Sequence, residues 1–174
     1  ALKLSEVLIK SDRATSAATS SVLKEIDFQL RPVNSAQDML RNVPGLFTAQ
    51  HAGGGKAEQI FIRGFDCDHG TDFAGYLDGI PINMPSHGHG QGYLDMHFLI
   101  PETVKDIEVY KGPYFAELGD FATAGAVKFK TLDRLEKNTV QFEVGTAPTQ
   151  RAFSHSRVMV NYQLPINNDK ISSY

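Results

Sequence analysis

From Thr139 to Leu164 the chain alternates apolar and polar residues with a period of two. Val140, Phe142 and Val144 share one face of the first run; Val158, Val160, Tyr162 and Leu164 share one face of the second. Successive strand side chains point to opposite sides, so this spacing predicts a long antiparallel hairpin with one apolar side. A polar turn, Thr146 to Arg151, joins the runs, and Ile171 to Tyr174 reads as the start of a further strand. Two environments suit such a hairpin. It can pack its apolar side on a soluble core, or it can open a transmembrane β-barrel, whose strands run apolar-out and polar-in. The alternation alone leaves both open.

The residues before Leu132 have a different texture. Val7-Leu8-Ile9 is a short β-prone run, and Ser11 to Ser21 is rich in Ser, Thr and Ala without apolar periodicity. That reads as a flexible segment. Val22 to Phe28 suits a short strand or one helical turn. Ser35-Ala36-Gln37-Asp38 has the form of a capping box, and Pro44-Gly45 stops the helix it starts. Gln59 to Phe65 predicts a single strand. Phe73 to Asn83 predicts a strand, a tight Asp78-Gly79 turn and a return strand. Met84 to Tyr93 is a Gly/His loop. Pro101 suits the first turn of a helix running to Lys105. Asp106 to Tyr110 and Ala124 to Thr131 read as strands. Residues 22–131 thus predict a small α+β domain: a mixed sheet of about four strands with short helices and long loops.

Composition excludes several classes. The 174 residues carry 17 Lys and Arg against 20 Asp and Glu, a formal charge of −3. Nothing supplies the positive charge that a nucleic-acid partner requires. No apolar run approaches the length of a membrane-spanning helix. The length suits one domain, or one domain plus a fragment of another. Cys67 is the only cysteine, which rules out an intrachain disulfide and a multi-cysteine zinc site. Ala1 to Val7 has no apolar signal core, as expected of a cytoplasmic chain or of one whose leader precedes Ala1.

Candidate chemistry centres on histidine. His87 and His89 point the same way if their loop is extended, and Gly88 and Gly90 let the backbone bend. With Asp95 and His97 they form a candidate nitrogen/oxygen site for zinc, copper or nickel. A soluble metal-binding module built on the His87/His89 loop is one reading of this; a solvated polar loop is another. Asp66-Cys67-Asp68-His69 suits an Asx-type turn. It also places His69 near Cys67, the minimum for a thiol nucleophile and its base. Gly53-Gly54-Gly55-Lys56 is not a phosphate loop, because Gln50 and Ala57 stand where that motif needs Gly and Ser or Thr. Asp78, Glu102, Glu108 and Glu117 show no pairing suited to acid/base catalysis. Arg63 and Lys111 each stand before a Gly at a strand end, as solvated cations or as one half of a salt bridge to another surface.

Five blocks in order carry a resemblance to a known family. They are Asp38-Met39-Leu40-Arg41-Asn42-Val43-Pro44-Gly45, Ile60-Phe61-Ile62-Arg63-Gly64-Phe65, Tyr76-Leu77-Asp78-Gly79-Ile80-Pro81, Ile107-Glu108-Val109-Tyr110-Lys111-Gly112-Pro113, and Gly119 followed by Ala124 to Thr131. Together they resemble the plug domain of TonB-dependent outer-membrane receptors. The resemblance covers residues 22–131, and the 138–164 hairpin fits the first barrel strands. It implies three parts: a flexible segment 1–21, a plug 22–131, and the start of a barrel at 132–174.

The resemblance implies a transport receptor in the cell outer membrane and not an enzyme. The plug would close the lumen of a barrel of about 22 strands. Such a barrel needs several hundred residues, at about ten per strand, far more than this chain holds. A TonB box near the N-terminus would pair with TonB and its inner-membrane energising complex. Glu6, Val7, Leu8, Ile9 and Lys10 fit its position, and strand addition is the expected binding mode. Arg63 and Lys111 would make ionic contacts with the chain's own barrel wall, with Lys111 keeping the charge but not the fork of an arginine. Asp66, Asp68, His69, Gln91 and Tyr93 are the expected substrate-facing loop residues. With His87, His89, Asp95 and His97 nearby in sequence, the implied small substrate is a metal ion or metal chelate. A bound metal ion is the only cofactor suggested.

Overall fold

The computed structural model describes residues 19–24, 27, 33, 35–51, 55–135, 137–146, 153–166 and 169–173. Its largest sheet has five strands in the order β1-β7-β8-β5-β6. These are β1 (Thr19–Lys24), β5 (Phe73–Leu77), β6 (Ile80–Pro81), β7 (Val104–Lys111) and β8 (Gly125–Thr131). β8 pairs antiparallel with β7 and parallel with β5, so the sheet is mixed as expected. The tight turn between β5 and β6 falls at Asp78-Gly79, where both residues have positive φ. The Asp78 carboxylate accepts hydrogen bonds from the Thr131 backbone N–H and hydroxyl, tying the turn to β8.

A second sheet holds β2 (Leu46–Ala49), β3 (Gln59–Ile62) and β4 (Phe65–Asp66). The single strand predicted over Gln59 to Phe65 is in fact a hairpin. Arg63 and Gly64 both take positive φ, 51° and 80°, the conformation of a two-residue turn that folds the chain back. β2 has no counterpart among the sequence expectations. The helix expected after Ser35 is α1 (Ala36–Leu40), capped where the Ser35 hydroxyl accepts the Asp38 N–H. The helix expected from Pro101 shrinks to one 3-10 turn, Pro101–Thr103, and Val104 and Lys105 belong to β7. β-branched Val104 is buried there, and packing in the sheet outweighs the helix-start signal of Pro101.

The described residues form two buried clusters, a small one of Ala74, Leu118 and Ala126 and a main core. Met39, Leu40, Ile60, Ile62, Phe73, Leu94, Met96, Ile107, Val127 and Phe129 are buried in it. The period-two pattern of β3 and β7 turns Ile60, Ile62, Ile107 and Val109 inward.

The third sheet, in the order β11-β10-β9, comprises β9 (Thr139–Thr146), β10 (Phe153–Ile166) and β11 (Asp169–Ser173). Phe142 faces Val158 and Val140 faces Val160 across β9 and β10. Among the described residues nothing covers their shared apolar face. Phe142 is 74% exposed, and Val140, Val144, Val158, Val160 and Tyr162 are exposed with it. Asn161 on the opposite side is buried. The soluble-core alternative requires the reverse arrangement.

Candidate functional site

His69 sits at the end of β4, in a 3-10 turn (Asp68–Gly70) that bends sharply through positive φ at Asp68 and His69. The Asp66 carboxylate helps to form the bend, accepting the Asp68 N–H at 3.0 Å, the Asx-type turn expected here. The turn carries the His69 ring inward, where it is 3% exposed. Its Nδ1 lies 2.7 Å from the Ala57 carbonyl oxygen. A carbonyl can only accept, so Nδ1 carries a proton, and the tautomer this selects has its lone pair on Nε2.

Three other imidazoles and a phenol gather around it. The His51 ring centroid is 4.8 Å from that of His69, and the His89 centroid is 4.5 Å away in an edge-on contact. His87 stacks on Tyr93 at 4.1 Å, and its Nδ1 accepts the His89 N–H. The buried Tyr93 hydroxyl accepts the Ala57 N–H at 2.6 Å, so Tyr93 and His69 hold the same residue. Desolvation beside these rings, followed by repulsion from His69 and Lys56, pushes the His89 imidazole below its ordinary value.

The loop is anchored from below by Asn83, which the sequence reading did not single out. Its Nδ2 donates to the carbonyls of Gly70, Phe73 and Gly92, and its Oδ1 accepts the Gly75 N–H at 2.7 Å. Gly92 has φ +84°, and a Cβ there would lie 2.4 Å from the Phe121 ring. This close approach leaves room only for glycine.

The expected metal set does not assemble. His97 Nδ1 pairs with Asp95 Oδ1 at 2.8 Å and lies 3.4 Å from Gln37 Nε2, whereas His87 and His89 belong to the cluster around Tyr93. Among the described residues no three His, Cys, Asp or Glu side chains form a group that could hold a metal ion. Among the expected substrate-facing residues, Asp66, Asp68 and Gln91 are exposed while His69 and Tyr93 are buried. His51 joins the cluster unpredicted, being separated from His69 by 18 residues and a Gly-rich turn.

Cys67 is fully buried, and burial, with Asp72 and Asp66 nearby, pushes its thiol up to about 12. A thiol so poorly ionised is not a nucleophile.

Lys111 is buried too, and its Nζ donates to the Pro44 carbonyl at 2.6 Å. Burial, then the nearby Arg63 guanidinium, pushes the Lys111 ammonium below its ordinary value. Arg63 is exposed, and its backbone N–H donates to Gly45. A contact between the first 131 residues and the hairpin is made elsewhere. Arg157 of β10 forks onto Glu102, with Nη2 donating to Oε2 at 2.6 Å and Nη1 to Oε1. The expected TonB box, Glu6–Lys10, lies outside the described residues.

The TonB-dependent Receptor Plug Domain family matches residues 12–126. A vitamin B12 transporter BtuB of Vibrio vulnificus strain CMCP6 is 27% identical over 147 residues, covering 83% of this chain and 23% of the relative. The BtuB of strain YJ016 is 30% identical over 115 residues, 66% of this chain and 18% of the relative. The crystal structure of the siderophore receptor PirA from Acinetobacter baumannii superposes with a TM-score of 0.64 at 25% identity, covering 86% of this chain and 22% of that one. The ferric yersiniabactin uptake receptor FyuA of Yersinia pestis shares the fold, with a TM-score of 0.63 at 19% identity over 87% of this chain and 22% of that one. The chain therefore spans less than a quarter of the length of these relatives. They are transporters and receptors, so the thiol-enzyme reading of Cys67 and His69 is set aside. The five sequence blocks, the mixed sheet and the family match lead to one conclusion: the chain belongs to the TonB-dependent receptor plug-domain family.

Proposed function

We propose that this chain is the plug and first barrel strands of an outer-membrane receptor that imports a scarce nutrient, a metal ion or metal chelate, with energy delivered by TonB. The proposed parts are an N-terminal segment at 1–21, whose last residues Thr19–Ser21 are not loose as expected but pair in β1 with β7, a plug at 22–131 and a barrel start at 132–174. The observation that carries this reading is the hairpin. Six large apolar side chains on β9 and β10 face outward, while Arg157 reaches back to Glu102. Apolar-out and polar-in is what a lipid-facing barrel strand needs. A soluble metal-binding module would leave that apolar face in water, at a cost of about 25 cal/mol for each Å².

In this reading the remaining strands complete a barrel of about 22. Glu6–Lys10 is the segment that TonB grips by strand addition. Arg63 and Lys111 face the barrel wall in this reading, Arg63 exposed and Lys111 buried with its Nζ on the Pro44 carbonyl. The histidine cluster, Asp66, Asp68 and Gln91 form the substrate face. The vitamin B12 and siderophore names of the relatives support a scarce cargo of this kind.

The test is uptake by cells carrying the intact gene. Under metal starvation, accumulation of labelled metal should depend on both the gene and TonB, and deleting Glu6–Lys10 should abolish it. The gene product should fractionate with the outer membrane. A soluble product, or uptake indifferent to TonB, overturns the proposal.

A further inference from the structure

We propose that His69 and His89 form a two-imidazole coordination site for a borderline divalent ion such as zinc, nickel or copper, free or in an open-sided chelate. This deepens the reading of the histidine cluster as the substrate face, and it differs from the set that spacing suggested, since Asp95 and His97 take no part.

The His69 ring is built as metal-binding imidazoles are. Its Nδ1 is held by the Ala57 carbonyl and its body is buried, which fixes the tautomer and aims the Nε2 lone pair. Among the described residues Nε2 has no hydrogen-bond partner. Asp68 Oδ1 lies 3.9 Å away and adds negative charge beside it. A lone pair and a carboxylate oxygen side by side favour a cation.

His89 supplies the second donor. Two imidazoles on one ion, with metal–nitrogen bonds of about 2.0 Å, place their ring centroids about 4.5 Å apart at a right angle and about 5.1 Å at the tetrahedral angle. The His69–His89 separation is 4.5 Å. Small ring rotations therefore suffice. His89 lies between Gly88 and Gly90, and the space beside Gly88 is open. Two nitrogen donors favour zinc, nickel and copper over the oxygen-seeking magnesium and manganese. Two protein ligands also leave coordination positions for donors that arrive with the metal.

The experiment is calorimetric titration of the full 174-residue chain in detergent micelles with nickel, zinc and magnesium chlorides at pH 7. X-ray absorption of the nickel form counts its imidazoles. We expect saturable 1:1 nickel and zinc binding, no magnesium binding and two imidazoles in the spectrum. His89→Ala, exposed and harmless to folding, should weaken binding tenfold or more, whereas His97→Ala should change it less than twofold. Absence of saturable nickel and zinc binding, indifference to His89→Ala, or equal loss in His97→Ala overturns the inference. The outcome separates cleanly from the receptor proposal. TonB-dependent uptake without these effects sinks the site alone, and metal binding without TonB-dependent uptake sinks the receptor reading alone.

Discussion

Glu58 is buried beside Thr48, and its Oε2 has no hydrogen-bond partner among the described residues. Burial, opposed by a Thr48 hydrogen bond and the Arg41 charge, raises its carboxyl above the ordinary 4.5. The fold then holds this proton more tightly than the unfolded chain does. Stability from this group is full below pH 4.5 and falls as pH rises through the folded-state value. Glu58→Gln should therefore match the parent in urea unfolding well below pH 4.5 and exceed it at pH 7. Asn83 is the opposite case, a buried amide whose donor and acceptor atoms are all used. Asn83→Ala strands backbone groups of Gly75 and Gly92, and should cost about 2–4 kcal/mol in the same assay. Neither role was legible in sequence. Glu58 sits in a polar run that looks solvated, and the partners of Asn83 come from three separate segments. The Asp78 turn was legible, because Asp-Gly favours positive φ through local sterics alone.

Turns and strands separate in the same way. The Asp78-Gly79 turn shows in the sequence, whereas the apolar residues on either side of Arg63-Gly64 mask a turn that needs only positive φ. Ser35 announced α1 correctly, since a cap acts within one turn of helix. Pro101 overstates its helix because β7 begins at Val104, which pairs with Thr131 of β8, while Lys105 falls at the irregularity before Asp106. The Glu102–Arg157 fork joins elements 55 residues apart, and no spacing rule anticipates it. It is half-buried and bidentate, so a double-mutant cycle with Glu102→Gln and Arg157→Lys should give a coupling of about 1–2 kcal/mol. Loss of the pair should also speed hydrogen exchange in β9 and β10. A coupling near zero would make the fork a passive surface contact.

For the whole molecule, the question is which side of the hairpin meets which solvent. If the β9–β10 face is lipid-facing, Phe142→Arg and Val158→Arg should each destabilise the intact gene product folded into phospholipid vesicles by about 2–4 kcal/mol near the bilayer midplane. Gln141→Arg, on the alternate side, should have little effect. Denaturant titration in vesicles reads all three. Equal effects on both sides would mean that the exposed apolar face is not a membrane face.

By itself the sequence determined what is local. It set the strand periods, the Asp78-Gly79 turn, the Ser35 cap, the family blocks and the hairpin with one apolar side. These follow from backbone sterics and side-chain period, which act over a few residues. Only the tertiary structure decided which way that apolar side turns, where Lys111 and Cys67 are buried, and how the histidines divide. His51, His69 and His89 meet in one cluster while His97 turns to Asp95. The physical reason is that burial and ring contacts depend on segments brought together by the β2–β3–β4 sheet and the loop that Asn83 anchors. Their meeting is set by the packing of a common core, which no stretch of residues carries alone.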